Sequence, residues 1–261
     1  MTTRIIVGLI ALPLVLAPIW FGGVWCLILL LVVALAGGVE FFGLLDHGGY
    51  RPLRWIGLLW IGGLVATGWQ PGLPLAVPLI TVGLVVMLVI SLFQREQPVH
   101  TWLATSGGAI YLGLMLGHVM ALRQLPAGLW WLLYGLLITW TNDTAAYFAG
   151  VTLGRRRLWP RLSPKKTWEG TVAGWVGAAL MGGVLMAVLP VQMPIAYGAA
   201  LGALGGVFAL LGDLAVSMVK RQVRVKDSGH LIPGHGGALD RLDSLLFVLP
   251  LIYYVVWYGL P

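Results

Sequence analysis

The sequence is poor in charged residues and in cysteine. Asp, Glu, Lys and Arg make up 10% of its 261 residues and apolar residues make up 59%, whereas soluble domains average about 25% and about 45–50%. This composition, with a mean hydropathy of +0.92, excludes an ordinary soluble enzyme and predicts a membrane protein. The single cysteine, Cys26, excludes an internal disulfide and is interpreted as a small buried apolar residue.

Long apolar runs, separated by breaks that contain Gly and Pro, fill the chain. The first run begins near Ile5 without a small-residue cleavage site, so we interpret it as a retained helix. A helix needs about 20 apolar residues to cross the hydrocarbon core, and turn residues mark where the chain leaves it. The predicted fold is all-α, a polytopic integral membrane protein with about nine transmembrane helices. The predicted spans are 5–20, 23–45, 53–69, 73–93, 101–122, 128–151, 168–189, 194–222 and 244–260.

Lysine and arginine are distributed unevenly over the predicted breaks. When alternate breaks face opposite sides of the membrane, the side of the N-terminus holds 15 of the 16 Lys and Arg residues, and the other side holds Arg123 alone. The positive-inside rule then places the N-terminus in the cytoplasm and the C-terminus outside. The net charge of +7 follows from this topology, and without a basic–aromatic RNA motif we predict no nucleic-acid partner.

Carboxylates are few, and they concentrate late in the chain. Six of the nine lie in the second half. Asp143 and Asp213 fall inside apolar runs, where an acid costs a few kcal/mol and commonly faces a polar cavity with a function. Pairing with a nearby arginine is the alternative. The other four are Glu169, Asp227, Asp240 and Asp243.

The run "GDLAVSMVKRQVR" carries an acid, a hydroxyl and three cations on one predicted helix face. Offsets of 0, 4, 7, 8 and 11 residues place them on one stripe at about 100° per residue. A solvated helix end explains the cations but not the aligned acid and hydroxyl, so we interpret the stripe as part of a polar site. Its members are Asp213, Ser217, Lys220, Arg221 and Arg224.

The segment "TNDTAAYFAGVTLGRRRLWPRLSPKKTWEG" is a second polar region. Asp143 lies in a predicted span, and Ser163 or Thr167 is expected to cap the next helix. Lys165 and Lys166 beside that helix start oppose the helix dipole, which indicates a bound polyanion because helix N-termini already favour phosphate. A positive-inside loop is the alternative, above all for the run of arginines.

The stretch "KDSGHLIPGHGGALDRLDS" contrasts with the apolar chain around it. Its PG turn predicts a flexible loop, and Gly236 and Gly237 allow backbone amides to approach a ligand closely. His235, between glycines, is a candidate donor to a phosphate. Asp240 and Asp243 are three residues apart and share a face at the start of the last helix, with helix capping as the alternative.

These acids fit the chemistry of a hard cation. Carboxylates among cations and glycine-rich loops suit Mg²⁺ together with substrate phosphates, whereas neither the cysteine nor the histidines form a zinc pattern. We expect four aspartates to converge at one cytoplasmic mouth. They are Asp143, Asp213, Asp240 and Asp243.

Two motifs in these regions closely resemble those of the phosphatidate cytidylyltransferase (CDP-diacylglycerol synthase) family. The first, "S-x-x-K-R-x4-K-D-x-G-x2-I-P-x-H-G-G-x-x-D-R-L-D", runs from Ser217 to Asp243, and the second is "NDTAAYFAG…LG…SPKKTWEG". They cover roughly 60 residues in the family's order, and the span layout extends the resemblance over most of the chain. Ala238 and Arg157 depart from the family pattern, but neither departure removes a charged or metal-binding group.

The resemblance implies that CTP and phosphatidate react to give CDP-diacylglycerol and pyrophosphate, for phospholipid biosynthesis. It implies that Asp213 and Asp240 bind a catalytic cation pair, with Mg²⁺ as one ion and K⁺ as the candidate for the other. Lys220, Arg221 and Asp243 join them in the catalytic group. The residues implied to shape the nucleotide and phosphate site are Asp143, Lys165, Lys166, Ser217, Lys226, Asp227, His235, Gly236, Gly237 and Arg241.

The resemblance also implies a homodimer that spans the cell (inner) membrane several times. CTP would arrive from the cytoplasm and phosphatidate from the lipid leaflet. The chain would divide into N-terminal transmembrane helices (1–70), middle transmembrane helices (71–125) and a catalytic region with a cytoplasmic-facing site (126–261).

Other classes of protein stay open from the residues alone. An ion or phosphate transporter would also use intramembrane acids, but such sites usually lie near the midplane between repeats, and no repeat is visible. A CDP-alcohol phosphotransferase would show paired D-G and D-x3-D elements, which the sequence lacks. A polyprenol kinase would give a phosphorylated lipid and a nucleoside diphosphate, so product identity separates it. A cytidylyltransferase of ether-linked isoprenoid lipids is the hardest to separate.

Overall fold

The computed structural model describes residues 2–72, 74–191, 193–229, 231 and 236–259, with side chains from residue 11 onward. Within these ranges the chain forms ten α-helices and one two-stranded hairpin. The helices are α1 Thr2–Phe21, α2 Gly23–His47, α3 Arg54–Thr67, α4 Ala76–Ser91, α5 Pro98–Gln124, α6 Gly128–Thr152, α7 Trp168–Val188, α8 Ile195–Gln222, α9 Leu239–Leu242 and α10 Leu245–Gly259. The strands are β1 Arg157–Trp159 and β2 Ser163–Thr167.

Several helices have the length and composition of membrane spans. In the described part of the chain, five helical segments are long and apolar enough to cross a membrane. The predicted mainly helical, multi-span character is thereby confirmed. The predicted count of nine transmembrane helices and the predicted orientation of the termini stay predictions. The five segments are Gly23–His47, Pro98–Gln124, Trp168–Val188, Ile195–Gln222 and Leu239–Gly259.

Helix α7 shows how the apolar surface is arranged. Large apolar side chains recur on it every four residues, and each is about half exposed or more. In water, a contiguous apolar surface of this kind would favour association with other apolar surfaces. A lipid-facing helix explains the row directly. The row consists of Val172, Val176, Leu180, Val184 and Val188.

The chain divides into two compact units. Unit 1 comprises Met1–Gln124 and Val219–Leu242, and unit 2 comprises Leu125–Met218 and Asp243–Pro261. The predicted division into three consecutive segments stays a prediction. Each polar cluster described below lies within one unit.

Unit 1 is built on the packing of α3 against α5 and of α2 against both. A Cβ atom added at Gly117 would lie 2.8 Å from the carbonyl oxygen of Leu64, so α3 and α5 touch backbone to backbone at this point. Close contacts of this kind use glycine because only a residue without a side chain lets two helices approach so far. Phe42, Ile61 and Leu64 are completely buried in the resulting core.

Unit 2 is built on α6, which packs along α7 and against α10. Helices α7 and α8 also meet closely, because a Cβ atom added at Gly202 would overlap the carbonyl oxygen of Ala178. Tyr134 is completely buried, and its hydroxyl donates to the carbonyl oxygen of Gly198 at 2.6 Å. That bond satisfies the one polar atom of the side chain inside an apolar core.

Between α6 and α7, a short hairpin replaces the predicted loop. Strands β1 and β2 pair antiparallel, with Arg157 opposite Thr167 and Trp159 opposite Ser163. Of the two predicted helix caps, Thr167 is the N-cap of α7, and its side-chain oxygen accepts from the backbone N–H of Gly170 at 3.2 Å. Ser163 begins β2 instead.

The prediction that Arg224 belongs to the polar stripe on α8 is wrong. The helix ends at Gln222, and Arg224 has a left-handed φ of 60°. The backbone N–H of Val225 donates to the carbonyl oxygen of Lys220 at 2.9 Å, which closes the last turn as a left-handed C-cap does. Arg224 therefore belongs to the turn that ends the helix.

Arg123 holds the end of α1 within unit 1. Its guanidinium donates to the carbonyl oxygens of Ile19 at 2.8 Å and Trp20 at 3.1 Å. These carbonyls lie in the last turn of α1, where helical partners are missing.

Replacing this guanidinium should destabilise the protein. We expect Arg123→Met, which keeps an apolar stem, to cost about 1.5–3 kcal/mol because two charged hydrogen bonds are lost. The thermal unfolding midpoint of purified protein in detergent measures the effect. Arg95→Met is the control, since Arg95 is exposed. Equal midpoints for the two variants would contradict this role of Arg123.

Candidate functional site

The first polar cluster, the Asp213 cluster, joins α8 to strand β2 within unit 2. The Lys166 ammonium lies 2.5 Å from Asp213 Oδ2, and the two side chains are 27% and 29% exposed. Ser217, one helical turn after Asp213, donates its hydroxyl to Asp213 Oδ1 at 3.2 Å. The predicted alignment of acid and hydroxyl on one helix face is confirmed. Asp213 is partly exposed, whereas Ser217 is buried.

The hairpin and the start of α7 place Lys166. Lys166 precedes the N-cap Thr167 in strand β2, so the strand and the cap fix its backbone. Glu169, in the first turn of α7, accepts from the backbone N–H groups of Arg155 and Arg156 at 3.1–3.2 Å. This carboxylate ties the chain before β1 to the helix, a favourable place for an acid because of the helix dipole.

The second polar cluster, the Asp240 cluster, lies within unit 1. The Lys220 ammonium lies 2.6 Å from Asp240 Oδ1, and the two side chains are only 10% and 13% exposed. Asp240 Oδ2 accepts from the backbone N–H of Ser228 at 2.9 Å and of Gly237 at 3.3 Å. A charge this well buried needs both a counter-ion and hydrogen bonds, and Asp240 has both.

Glu40 completes the Asp240 cluster, and the sequence interpretation missed it. Its carboxylate accepts from the backbone N–H groups of Ala238 at 3.0 Å and Leu239 at 2.9 Å, and from the hydroxyl of Ser228 at 2.9 Å. The side chain is 6% exposed. Its position inside a predicted span was the available signal, but its partners lie 188–199 residues away along the chain.

Asp243 Oδ1 accepts from the backbone N–H of Ser244 at 2.7 Å, just before α10, and the capping alternative for Asp243 stays a prediction. Asp143 is exposed on α6 and accepts from the side-chain amide of Asn142 at 3.1 Å. Arg221 donates to the carbonyl oxygen of Val225 at 2.8 Å, beyond the end of α8. These three residues have local structural roles, and their roles in a reaction stay predictions.

The remaining predicted residues are two loop glycines, four exposed charged residues and one residue outside the described ranges. Gly236 has a φ of 82°, a left-handed conformation that glycine adopts without strain. The amide of Gly237, proposed from the sequence to face a phosphate, donates to Asp240 instead. His235 lies outside the described residues. The exposed members of the predicted set are Lys165, Lys226, Asp227 and Arg241.

The two cluster aspartates, Asp213 and Asp240, could bind a cation only together with ligands from outside the protein. Among the described residues, no group of three or more His, Cys, Asp and Glu side chains could hold a metal ion, so an all-protein cage does not fit. Mg²⁺ more often uses one or two carboxylates together with substrate phosphates. Asp213, with hard oxygen atoms and partial exposure, suits that mode. Asp240 is less open, because its side chain is only 13% exposed, compared with 29% for Asp213.

A model of the cytidylyltransferase family matches residues 2–259. The chain belongs to this family. The resemblance noted from its motifs is thereby confirmed, and it extends well beyond the two motif regions.

Relatives of this cytidylyltransferase are named phosphatidate cytidylyltransferase. The protein of Brucella suis is 36% identical over 257 residues, which cover 96% of this chain and 91% of that protein. The protein of Bacillus subtilis is 42% identical over 149 residues, and that of Synechocystis is 50% identical over 141 residues. These two alignments span about half of each relative, 55% and 47%.

The close packing of the Asp240 cluster predicts the effect of a single methyl group. A Cβ atom added at Gly237 would overlap Ser228 Oγ and Glu40 Oε2, whereas one added at Gly43 would meet nothing within 4 Å. We expect Gly237→Ala to lower the unfolding free energy of the cytidylyltransferase by about 1–3 kcal/mol. Gly43→Ala, on helix α2, should leave it unchanged or raise it. Thermal unfolding in detergent compares them, and an equally stable Gly237→Ala variant would refute the packing.

Proposed function

We propose that this cytidylyltransferase transfers CMP from CTP to phosphatidate, giving CDP-diacylglycerol and pyrophosphate for phospholipid biosynthesis. The observation that carries the proposal is the 36% identity over 96% of the chain to a protein named phosphatidate cytidylyltransferase. An alignment of that extent includes both polar clusters. Their chemistry, acids and ammonium groups in a chain with few charges, suits a reaction between two phosphate compounds.

The reaction needs no nucleophile from the protein. An anionic phosphate oxygen of phosphatidate attacks the α-phosphorus of CTP, and the bond from that phosphorus to the bridging oxygen of the β-phosphate breaks. Pyrophosphate leaves with the electron pair. The protein's task is to bring two polyanions together and neutralise the charge of the leaving group, which cations placed beforehand do well. We assign this task to Lys166 and Lys220, with Arg221 beside the latter.

The acids of the two clusters are assigned to cations. We propose that Asp213 and Asp240 each contribute carboxylate oxygen to one ion of a pair, Mg²⁺ and K⁺, together with substrate phosphates. A bound Mg²⁺ would polarise a phosphoryl oxygen and offset its charge. Lys166 and Lys220 neutralise these same acids in the structure, and we propose that phosphate oxygens become their partners once substrates bind.

The remaining predicted residues are proposed to bind substrates. Exposed cations beside the clusters suit phosphate recognition, and the polar groups nearby suit the nucleotide. We further assign Asp243 to the catalytic group. The proposed substrate-binding residues are Asp143, Lys165, Lys166, Ser217, Lys226, Asp227, His235, Gly236, Gly237 and Arg241.

The proposed setting is the cell (inner) membrane, with nine spans, a cytoplasmic N-terminus and an external C-terminus. The distribution of 15 of 16 Lys and Arg residues on one side supports this orientation. The reaction then takes place at the cytoplasmic surface, where CTP arrives from water while phosphatidate keeps its acyl chains in the leaflet. A homodimer remains part of the proposal.

The assigned acids can be tested with purified full-length protein in detergent. With phosphatidate, Mg²⁺ and CTP labelled in its cytidine part, label should pass into the organic phase, and EDTA should abolish this. We expect Asp213→Asn and Asp240→Asn each to lower turnover about 100-fold or more, the scale typical of lost charge stabilisation. Asp46→Asn is the matched control, because Asp46 pairs with Arg54 at the surface and such pairs contribute little.

Near-normal turnover in either purified aspartate variant would refute the assignment of that acid. If the protein is active with an ether-linked isoprenoid phosphate but not with phosphatidate, the proposed lipid substrate is wrong and the isoprenoid lipid takes its place. A folded wild-type protein that transfers no label to any lipid would refute the proposed function.

The orientation predicts which loops a membrane-impermeant maleimide reaches. In a Cys26→Ala background, we expect Gln70→Cys, between α3 and α4, to react in intact cells. Gln94→Cys, between α4 and α5, should react only after permeabilisation. Mass shift on a gel after labelling reports both results. The reverse pattern would invert the orientation, and labelling of both in intact cells would refute the span count.

A further inference from the structure

The carboxylate of Glu40 is buried on α2, and among the described residues no cation forms an ion pair with it. The ion pairs with N–O distances up to 4.0 Å in the described part of the chain do not involve Glu40. Its charge is instead stabilised by three hydrogen bonds, all donated by the segments on either side of the glycine-rich loop. An acid buried in this way is costly unless its donors are held in place, so the contact constrains both segments.

Two glycines lie so close to the Glu40 carboxylate that a side chain at either position would collide with it. A Cβ atom added at Gly229 would lie 2.5 Å from Glu40 Oε1, and one added at Gly237 would overlap Oε2. Gly229 and Gly237 therefore both pack against the carboxylate of Glu40.

Ser228 links Glu40 to Asp240. Its hydroxyl donates to Glu40 at 2.9 Å while its backbone N–H donates to Asp240 Oδ2 at 2.9 Å. On the other side, Glu40 accepts from Ala238 and Leu239, which immediately precede Asp240. The Glu40 carboxylate thus holds both chain segments that determine the position of Asp240. Asp240 in turn determines the position of the Lys220 ammonium, which lies 2.6 Å away.

We infer that Glu40 is a positioning residue for cytidylyl transfer: it fixes residues 228–229 and 237–239 around Asp240 and so places the Asp240–Lys220 pair for reaction. This inference rests on the proposed function. In this inference Glu40 does not act by contact with substrate or cation. Its effect on the reaction passes through Asp240 and Lys220, so it should appear in turnover and in the order of the loop.

The test compares Glu40→Gln with Glu96→Gln in purified full-length protein. The amide turns an N–H₂ donor toward groups that are themselves donors, so at least one hydrogen bond is lost with little change of volume. Glu96 is an exposed carboxylate paired with Arg51, which makes Glu96→Gln a matched control. Two measurements are made on each variant: kcat and KM for CTP, and amide hydrogen exchange of peptides that cover 226–242.

We expect Glu40→Gln to lower kcat about tenfold or more and to speed exchange in 226–242 by about the same factor. Exchange in α5 should not change, and Glu96→Gln should match the wild type in both measurements. If Glu40→Gln does not fold, Ser228→Ala removes one of the three donors and should show the same two effects, each about threefold.

Two results would overturn the inference. Unchanged exchange in 226–242 would show that Glu40 does not hold the loop. Faster exchange with wild-type kcat and KM would show that the reaction does not depend on that contact. A wild-type protein that is inactive with CTP and phosphatidate would instead overturn the proposed function, and the exchange measurement would still report whether Glu40 orders the loop.

Discussion

The structure depends on one constraint: a carboxylate in a chain with few charges and many apolar residues must find a partner for each oxygen. Asp213 pairs with Lys166 and Ser217, and Asp240 pairs with Lys220 and two backbone amides. Burial without such partners would cost several kcal/mol. In each cluster a lysine ammonium lies against a carboxylate, and the proposed reaction makes use of both charges.

Carboxylates also organise the loops around the clusters. Glu169 binds the backbone before β1, Asp240 binds Ser228 and Gly237, and Glu40 binds the first turn of α9. Backbone N–H groups in irregular loops have no helix or strand partner, so they need another acceptor when they are buried. One carboxylate can accept from several of them at once. In this protein the carboxylates therefore hold loop backbone through hydrogen bonds, and two of them also form ion pairs with lysines.

Much of the helical layout could be predicted, because apolar runs and Gly–Pro breaks report directly on helix ends. The cap at Thr167 and the alignment of Asp213 with Ser217 followed from local rules of spacing. The hairpin at 157–167 did not, since its short strands carry no alternating apolar pattern. Glu40 could not be recognised as part of the loop network, because its partners follow almost 200 residues later and only the folded chain brings them together.

The most direct test of cytidylyl transfer asks which phosphorus of CTP enters the lipid. Purified protein is incubated with phosphatidate, Mg²⁺ and CTP labelled with ³²P at either the α or the γ position, and the organic phase is counted. Transfer of CMP predicts lipid label from α-labelled CTP only, with γ-label recovered as pyrophosphate. Lipid label from γ-labelled CTP would identify a lipid kinase and contradict the account.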